Sequence, residues 1–333
     1  MKRIVVIEGD GIGAEVVPQA VRVLRTVAPE VELVSAEMGL ASKDRTGKYL
    51  PDATMDAIRD SDACLFGAIT SPDGDPAYRS PILRLRCELD LYANVRPAKR
   101  IVPNIGMVDL DLTLVRENSE GMYTGMETEL EGAVVLKRKV SDKACRRICR
   151  HALDLCEREK IGRITCAHKA NVLRKSDGMF RRIFYEEVAG RNLEARDMLV
   201  DAVAAALITK PQEFGCIVTL NLYGDILSDE AAALVGGLGM APSGNIGDHY
   251  AVFEPCHGSA PDIAGRGISN PIATILSASM SLKYLGMQEA ARQIEDSVEE
   301  ALKKGVRTAD IGGHHSTRQF GDELVAMIEK RMD

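Results

Sequence analysis

The chain opens with Met1-Lys-Arg-Ile-Val-Val-Ile-Glu-Gly-Asp-Gly-Ile-Gly13, and this stretch indicates the class of fold. Arg3–Ile7 is rich in β-branched residues, which favour a strand. After the glycines, apolar residues recur at helical spacing at positions 16, 17, 20, 23, 24 and 27. The opening therefore predicts a strand, a tight turn and an amphipathic helix, the first step of an α/β fold.

The turn Gly9-Asp-Gly-Ile-Gly13 resembles a dinucleotide-binding fingerprint, but its spacing is G-x-G-x-G and not G-x-G-x-x-G. No clear acidic strand end follows about 20 residues later to bind a ribose. We therefore favour a plain tight turn over a Rossmann site.

The same alternation continues along all 333 residues, a length that suits two lobes better than one core. Further strands are predicted at 63–68, 110–116, 163–167 and 216–220. Helices are predicted near 143–158, 177–187, 228–237, 271–285, 288–303 and 321–331. Several strands are apolar on both faces, which is typical of an α/β sheet covered on both sides. The Pro- and Gly-rich stretch Thr70–Ser80 is predicted to be a mobile loop.

Composition excludes several classes of protein. A net charge of −7 argues against a nucleic-acid partner, and no apolar run reaches the roughly 18 residues of a membrane span. Charges at Glu8 and Asp10 interrupt the first apolar run, so it is not a signal peptide, and we expect a cytoplasmic protein. The eight cysteines contain no C-x-x-C pair and are expected to be reduced.

Three of those cysteines, Cys145, Cys149 and Cys156, lie on the apolar stripe of one predicted helix. A soft-metal site is the less favoured interpretation, because core thiols behave as small apolar groups.

Asp225 and Asp229 stand four residues apart in Asn221-Leu-Tyr-Gly-Asp-Ile-Leu-Ser-Asp229. If a helix begins near Gly224, the two carboxylates share one face and repel each other. Mg²⁺ or Mn²⁺ would relieve that repulsion, since both prefer oxygen ligands. The alternative is a solvated helix start with acids near the helix dipole, and these residues alone leave both interpretations open.

Arginines and a glycine-rich loop supply two further signals. Arg86, Arg96 and Arg116 lie near predicted strand or helix ends. Because a guanidinium group binds a carboxylate through two hydrogen bonds, the three arginines suggest a substrate with two or more carboxylates. The loop from His257 to Asn270 is rich in small residues and is able either to cradle a nucleotide or to serve only as a turn.

Seven motifs in one order carry a family resemblance: GDGIG (9–13), LDLYANVRP (89–97), RENSEGMY (116–123), HKANVL (168–173), NLYGDILSD (221–229), GGLGMAPSGNIGD (236–248) and FEPCHGSAPDIAG (253–265). Together they resemble the β-decarboxylating dehydrogenases, the isocitrate/isopropylmalate dehydrogenase family. The archaeal 3-isopropylmalate and homoisocitrate dehydrogenases are the most similar type.

The resemblance implies a two-lobed α/β fold with a continuous sheet that is not a Rossmann fold. It assigns residues 1–97 with 236–333 to a cofactor-binding lobe, and residues 98–235 to a lobe for dimerisation, metal and substrate. It also implies a homodimer, or a tetramer, in which each active site is shared between subunits.

Residue roles follow from the same resemblance. Tyr123 and Lys169 handle protons, and Asp201, Asp225 and Asp229 bind Mg²⁺ or Mn²⁺. Lys169 and Asp201 are expected to come from the neighbouring subunit. The substrate would contact Arg86, Arg96, Arg116, Ser71, Ser80, Ile82 and Leu83. NAD would contact His257, Gly258, Ser259, Ala260, Pro261, Asp262, Asn270 and Asp310.

Asp262 predicts NAD rather than NADP, because a carboxylate near the ribose accepts a bond from a 2′-hydroxyl and repels a 2′-phosphate. Cys87 and Cys256 depart from the residues typical of the family, and oxidation-sensitive activity is the minor interpretation. Alanines at 202 and 204–206 leave the subunit contact beside Asp201 in doubt.

The implied reaction is oxidation and decarboxylation of 3-isopropylmalate to 4-methyl-2-oxopentanoate and CO₂, a step of leucine biosynthesis. Ile82 and Leu83 favour this apolar substrate, whereas Ser71, Ser80 and Arg79 or Arg84 favour homoisocitrate; isocitrate ranks below both. Two other classes of protein are alternatives: a non-catalytic regulatory subunit, and a zinc-dependent phosphosubstrate dehydrogenase. The retained site residues argue against the first. The six histidines do not supply a matching zinc set for the second.

Overall fold

The computed structural model describes residues 1–72 and 78–332, in which strands and helices alternate. The strands are β1 Arg3–Gly9, β2 Glu32–Ala36, β3 Ala63–Ala68, β4 Ala93–Lys99, β5 Asp111–Glu117, β6 Glu127–Leu130, β7 Ala133–Leu136, β8 Arg163–His168, β9 Glu194–Leu199, β10 Cys216–Thr219, β11 Pro242–Ile246 and β12 Ala251–Pro255. The helices are α1 Gly13–Val27, α2 Leu40–Thr46, α3 Asp52–Arg59, α4 Pro81–Glu88, α5 Asp142–Glu159, α6 Ser176–Val188, α7 Val200–Thr209, α8 Asn221–Val235, α9 Ile272–Tyr284, α10 Gln288–Lys303 and α11 Thr317–Met332.

Ten of these strands form the main sheet, so the predicted α/β class with one large sheet is confirmed. The chain divides into two units. Unit 1 comprises residues 1–89, 101–105 and 236–333, and unit 2 comprises residues 90–100 and 106–235. This division places residues 90–97 in unit 2. The cofactor and dimerisation roles expected of the lobes stay predictions.

Unit 1 contributes the strand order β2-β1-β3-β12-β11. β1 pairs in parallel with both β2 and β3, and β12 turns back antiparallel to β11. Its core lies between these strands and the apolar faces of α1, α9, α10 and α11, with Phe253 and Phe320 fully buried. Such continuous burial explains why β3 is apolar at every position.

Unit 2 contributes the order β4-β5-β10-β8-β9, with β4 antiparallel to β5 and the next three pairings parallel. Burial on α5 follows the predicted stripe: Cys145, Cys149 and Cys156 are completely buried. β6 and β7 form a separate two-stranded hairpin whose residues are all exposed. Within the described residues, no helix has both the length and the apolarity needed to cross a membrane.

The glycines of the first turn serve close packing. A Cβ on Gly9 would lie 1.8 Å from the carbonyl oxygen of Ala68, and one on Gly11 would lie 2.1 Å from that of Ser259. Both glycines also have positive φ. Between them, the Asp10 carboxylate accepts bonds from the backbone N–H groups of Leu40 and Thr70. This geometry agrees with a tight turn that joins neighbouring segments.

Two helices begin earlier than the sequence predicted. Helix α11 begins at Thr317, four residues before position 321, and the difference is larger for α8. The sequence predicted a helix over 228–237, with an opening near Gly224, but α8 begins at Asn221. The predicted mobile loop Thr70–Ser80 lies partly outside the described residues, which omit 73–77.

Candidate active site

Arg116 of unit 2 is almost completely buried, with 1% of its surface exposed. It lies near the end of β5, directly beside Thr219 of β10, and α8 begins two residues after Thr219. This connection brings the first turns of α8 to the guanidinium. Nε and Nη2 of Arg116 donate to Oδ1 of Asn221 at 3.0 and 2.7 Å, and Nη1 donates to Asp225.

Arg96 reaches the same helix from β4 and is also buried. Its Nη1 donates to Oγ of Ser228 at 2.7 Å and to Oδ1 of Asp229 at 3.3 Å, and it lies 3.5 Å from Oδ1 of Asp225. Its Nε donates to Oδ1 of Asn94 at 2.5 Å. Two guanidinium groups therefore converge on two carboxylates.

The repulsion expected between Asp225 and Asp229 is relieved by these distant arginines, although no basic residue lies nearby along the sequence. Burial raises the pKa of Asp229, and the positive charge of Arg96 acts against that rise. Because α8 begins at Asn221, the two aspartates lie in its second and third turns, and the first turn contains no acidic residue. The helix-start interpretation of the pair is therefore wrong.

Tyr123 completes this cluster. It lies in a 3₁₀ turn, Met122–Thr124, and its hydroxyl donates to Oδ2 of Asp225. The Arg116 guanidinium carbon lies 4.9 Å from the centre of the tyrosine ring, within cation–π range. Burial, and then the bond to Asp225, raise the pKa of Tyr123, so the phenol stays protonated at neutral pH.

Lys169 and Asp201 form a second, separate pair in unit 2. Lys169 follows β8, and its ammonium contacts the Asp201 carboxylate in the first turn of α7. Hydrogen bonding to Lys169 lowers the pKa of Asp201. The part of the chain that the structure describes contains no group of three His, Cys, Asp or Glu side chains placed to hold a metal ion. Asp225 and Asp229 thus supply carboxylate oxygens suited to a hard divalent cation, but no third His, Cys, Asp or Glu side chain of residues 1–72 and 78–332 joins them.

Arg86, the third predicted substrate residue, lies on α4 in unit 1. Its Nε donates to Oδ1 of Asn245 at 3.0 Å, and its Nη2 donates to Oε1 of Glu254 at 3.2 Å. On the same helix Ile82 is half-buried and Leu83 is 38% exposed. Arg84 bonds to Glu88 on its own helix at 2.5 Å.

The remaining substrate and redox candidates lie shortly after β3, at the two ends of α4 and directly after β12. Ser71 is exposed, and its Oγ lies 3.3 Å from the Tyr78 hydroxyl. Ser80 immediately precedes α4 without capping it through its side chain. Cys87 is exposed, whereas Cys256 is half-buried with its Sγ 3.7 Å from the Pro242 carbonyl oxygen.

The predicted cofactor loop contains both structural and exposed residues. Ser259 accepts bonds from Ile12 N–H at its carbonyl and from the Thr70 hydroxyl at Oγ. Asn270 caps α9 by accepting from Ile272 N–H, and its Nδ2 donates to Asp310 at 3.0 Å. His257 is mostly enclosed, and burial lowers its pKa, which keeps the ring neutral. By contrast, Gly258, Pro261 and Asp262 are exposed, and Ala260 is partly so.

Sequence reasoning missed the uncharged residues that hold the arginines: Asn94, Asn221, Asn245 and Ser228. A signal for three of them was present. Asn94 lies two residues before Arg96, so both side chains leave the strand on one face. Asn221, Asp225 and Ser228 follow an i, i+4, i+7 spacing, which also puts them on one face of a helix.

Comparison with known proteins agrees with this architecture. Residues 3–324 match the family model described as isocitrate/isopropylmalate dehydrogenase. The 3-isopropylmalate/3-methylmalate dehydrogenase of Methanocaldococcus jannaschii is 48% identical over 337 residues, which cover 99% of this chain and 100% of that protein. The isocitrate/homoisocitrate dehydrogenase of Thermus thermophilus is 48% identical over 330 residues, 98% of each chain. The isocitrate dehydrogenase structure from Methylococcus capsulatus matches with a TM-score of 0.94 and 40% identity over 98% of this chain and 99% of that one.

The fold and the site define a dehydrogenase, an oxidoreductase that acts on CH–OH groups. The chain belongs to the isocitrate/isopropylmalate dehydrogenase family, as its motifs predicted. Archaeal 3-isopropylmalate and homoisocitrate dehydrogenases are among its relatives. Because proteins named for different acids share the same identity with this chain, identity alone does not select the substrate.

Proposed function

We propose that this protein catalyses the NAD-dependent and Mg²⁺- or Mn²⁺-dependent oxidative decarboxylation of a 3-substituted malate, with 3-isopropylmalate as the favoured substrate. The observation that carries the proposal is the convergence of Arg96, Arg116, Asp225, Asp229 and Tyr123 in unit 2. In such a cluster the arginines attract a polycarboxylic acid and the aspartates attract a cation.

Arg96 and Arg116 would bind the carboxylates of the malate core. Each guanidinium now neutralises an aspartate of α8. Binding an acid and a divalent cation together replaces those ion pairs: the acid takes the guanidinium groups and the cation takes the aspartates. Charge within the cluster stays matched in both states, which limits the cost of burying it.

Asp225 and Asp229, with Asp201 from a second subunit, would hold the cation. When bound, a divalent cation polarises the carbonyl of the 2-oxo acid and stabilises the negative charge that loss of CO₂ leaves. The carboxylate oxygens of the pair and its placement beside the proposed acid-binding arginines fit such an ion.

Tyr123 would deliver a proton to the carbon from which CO₂ departs. Its hydroxyl already holds a proton toward Asp225, and its raised pKa keeps that proton in place until a strongly basic carbon forms. Lys169, after its ammonium has released a proton to solvent, would receive the proton of the substrate hydroxyl. Its present neighbour is the carboxylate of Asp201, which would become a cation ligand in the loaded site.

NAD would bind at the loop from His257 to Asn270, together with Asp310. The exposed carboxylate of Asp262 supports NAD rather than NADP. We expect kcat/KM for NAD to exceed that for NADP by at least about tenfold, on the order of 1.4 kcal/mol. Equal values for the two cofactors would contradict this assignment of Asp262.

We also propose a cytoplasmic homodimer, or a tetramer of two dimers, with shared sites. Among the described residues of one chain, Asp201 does not join Asp225 and Asp229 in a group that could hold a metal ion, which supports completion of the site by a second copy. Exposed apolar side chains in unit 2 support such contacts, among them Val172, Ile208, Ile226 and Val134. No role for nucleic acid or a membrane is proposed.

Ile82 and Leu83 support 3-isopropylmalate, because burying an isopropyl group is worth roughly 2 kcal/mol. Arg84 bonds to Glu88 and lies 3.8 Å from Asp52, so its charge is already matched. This pairing weakens the case for homoisocitrate, whose distal carboxylate needs a cation. Homoisocitrate remains the second candidate, because Ser71 and Arg79 are exposed near the start of α4.

The test is NAD reduction by the purified protein with a panel of 3-substituted malates, before and after removal of divalent cations. We expect metal-dependent turnover with kcat/KM highest for 3-isopropylmalate. A higher value for homoisocitrate would reverse the choice of substrate. No turnover with any malate, in protein confirmed to be folded and supplied with Mn²⁺, would refute the proposed reaction.

A further inference from the structure

All three proposed carboxylate-binding arginines share one arrangement. The Nε of Arg86 donates to Asn245, that of Arg96 to Asn94 and that of Arg116 to Asn221, at 3.0, 2.5 and 3.0 Å. In each case an Nη atom turns toward a protein carboxylate, respectively Glu254, Asp229 and Asp225. A guanidinium can only donate, so the asparagine atom facing it is the amide oxygen.

The asparagines are buried and held by the protein. Asn94 and Asn245 are fully buried, and Asn221 is 2% exposed. The Nδ2 of Asn221 donates to the Glu120 carbonyl at 2.8 Å, and that of Asn245 donates to the Val252 carbonyl at 3.3 Å and to Glu254 at 2.7 Å. The amide oxygens of Asn221 and Asn245 are thus held in position by bonds at Nδ2, and that of Asn94 is held by complete burial.

Surface arginines of the same chain have a different partner at Nε. Arg84 donates from Nε to Glu88 at 2.5 Å, and Arg331 donates to Glu300 at 3.1 Å. A carboxylate there cancels the charge of the guanidinium. An amide oxygen orients the group equally well and adds no second negative charge to the carboxylate already at the Nη end, which matters most in a buried site of low dielectric.

We infer that Asn94, Asn221 and Asn245 are positioning residues that fix the Nε side of the three arginines and preserve their charge for the substrate carboxylates. This inference rests on the proposed function. An amide at Nε also blocks that side of the guanidinium, so a carboxylate must approach from the Nη end. The asparagines therefore set the direction of substrate binding as well as its strength.

The test is Asn→Asp substitution at each position, which preserves shape and adds one charge. We expect each of Asn94→Asp, Asn221→Asp and Asn245→Asp to raise KM for 3-isopropylmalate at least about tenfold, because the new carboxylate pairs with the arginine. KM for NAD should change less than about twofold. A merely structural defect would not raise one KM selectively.

Asn104→Asp is the matched control. Asn104 accepts from Nη2 of Arg307 at 2.8 Å, outside the proposed site, so the same change beside an arginine should leave both KM values unaltered. Circular dichroism identifies any variant that fails to fold, and the other two positions then carry the test.

Two results would overturn the inference, and they are distinguishable. Wild-type turnover with unchanged KM for the acid in the folded Asp variants would refute the positioning role alone. Failure of the wild-type protein to turn over any malate would refute the proposed function and the positioning role together.

Discussion

The Arg116–Asp225 pair in unit 2 and the Arg150–Glu187 pair between α5 and α6 join the same chemical groups in different surroundings. Arg116 is 1% exposed, and besides its ion pair with Asp225 it donates to the neutral amide oxygen of Asn221. The Arg150 side chain is 58% exposed, and both of its bonds go to Glu187, lowering the pKa of that carboxyl.

This difference in exposure distinguishes an ion pair in the proposed active site from an ion pair on the surface. Water screens the Arg150 pair, so its charges have little effect on their neighbours. The charge of Arg116 acts in a dry environment, where it is felt by Asp225, by the Tyr123 ring and by any bound acid. Substitutions that treat the two regions alike should therefore have unequal consequences.

The largest effect is expected for Arg116→Met. This change leaves Asp225 without its closest cation and removes a guanidinium group that binds a carboxylate of the substrate. We therefore expect kcat/KM for the acid to fall about 1000-fold. The free energy of unfolding should decrease by about 3 kcal/mol. Steady-state kinetics and urea unfolding measure the two quantities. A loss of less than tenfold in kcat/KM would show that Arg116 does not bind substrate.

Tyr123→Phe tests whether the aromatic member of the cluster is chemical or only structural. It removes one hydroxyl and retains the ring beneath Arg116, so we expect kcat to fall about 100-fold. KM for the acid should change less than about threefold, because the guanidinium groups remain. Unaltered kcat would exclude Tyr123 as the proton donor.

Gly224→Ala has two opposing effects: alanine favours the helix, but its Cβ would lie too close to Arg116. Alanine in α8 should stabilise a helix by roughly 0.8–1 kcal/mol, but its Cβ would lie 2.6 Å from Cγ of Arg116. We expect the displaced arginine to raise KM for the acid about tenfold. Gly178→Ala on α6 is the matched control, since its Cβ would meet no atom within 4 Å. Equal kinetics in the two variants would argue against close packing as the function of Gly224.

Arg150→Met should have the smallest effect on kcat/KM and on stability, and it is the surface counterpart of Arg116→Met. Because its ion pair is exposed, kcat/KM should change less than about twofold and the unfolding midpoint by less than about 2 °C. A thermal melt and one kinetic series are sufficient. An effect as large as that of Arg116→Met would show that burial does not distinguish the two pairs.

The sequence predicted the fold and the charged members of the site because both leave local signals. Strand β3 is an uninterrupted apolar run, and the cysteines of α5 follow a helical stripe, so period and length identify them. The arginines and aspartates stood out through their charge and the ordered motifs around them.

The sequence could not predict which side chains pair when they lie far apart along the chain. Arg96 and Asp229 are 133 positions apart, and only the register of β4 and β5 and the return of the chain along β10 into α8 bring them together. The start of α8 was misplaced for a related reason. Asn221 is turned toward Arg116, and that tertiary contact supports a helical turn with little apolar periodicity of its own.

The proposed mechanism requires one cluster to bind a cation on Asp225 and Asp229 while Arg96 and Arg116 bind an acid. The most direct test is a titration of the purified protein with Mn²⁺, with and without saturating 3-isopropylmalate. We predict that the acid tightens Mn²⁺ binding at least about tenfold, or about 1.4 kcal/mol, because it draws the guanidinium groups away from the aspartates. Equal Kd values in the presence and absence of the acid would contradict the account.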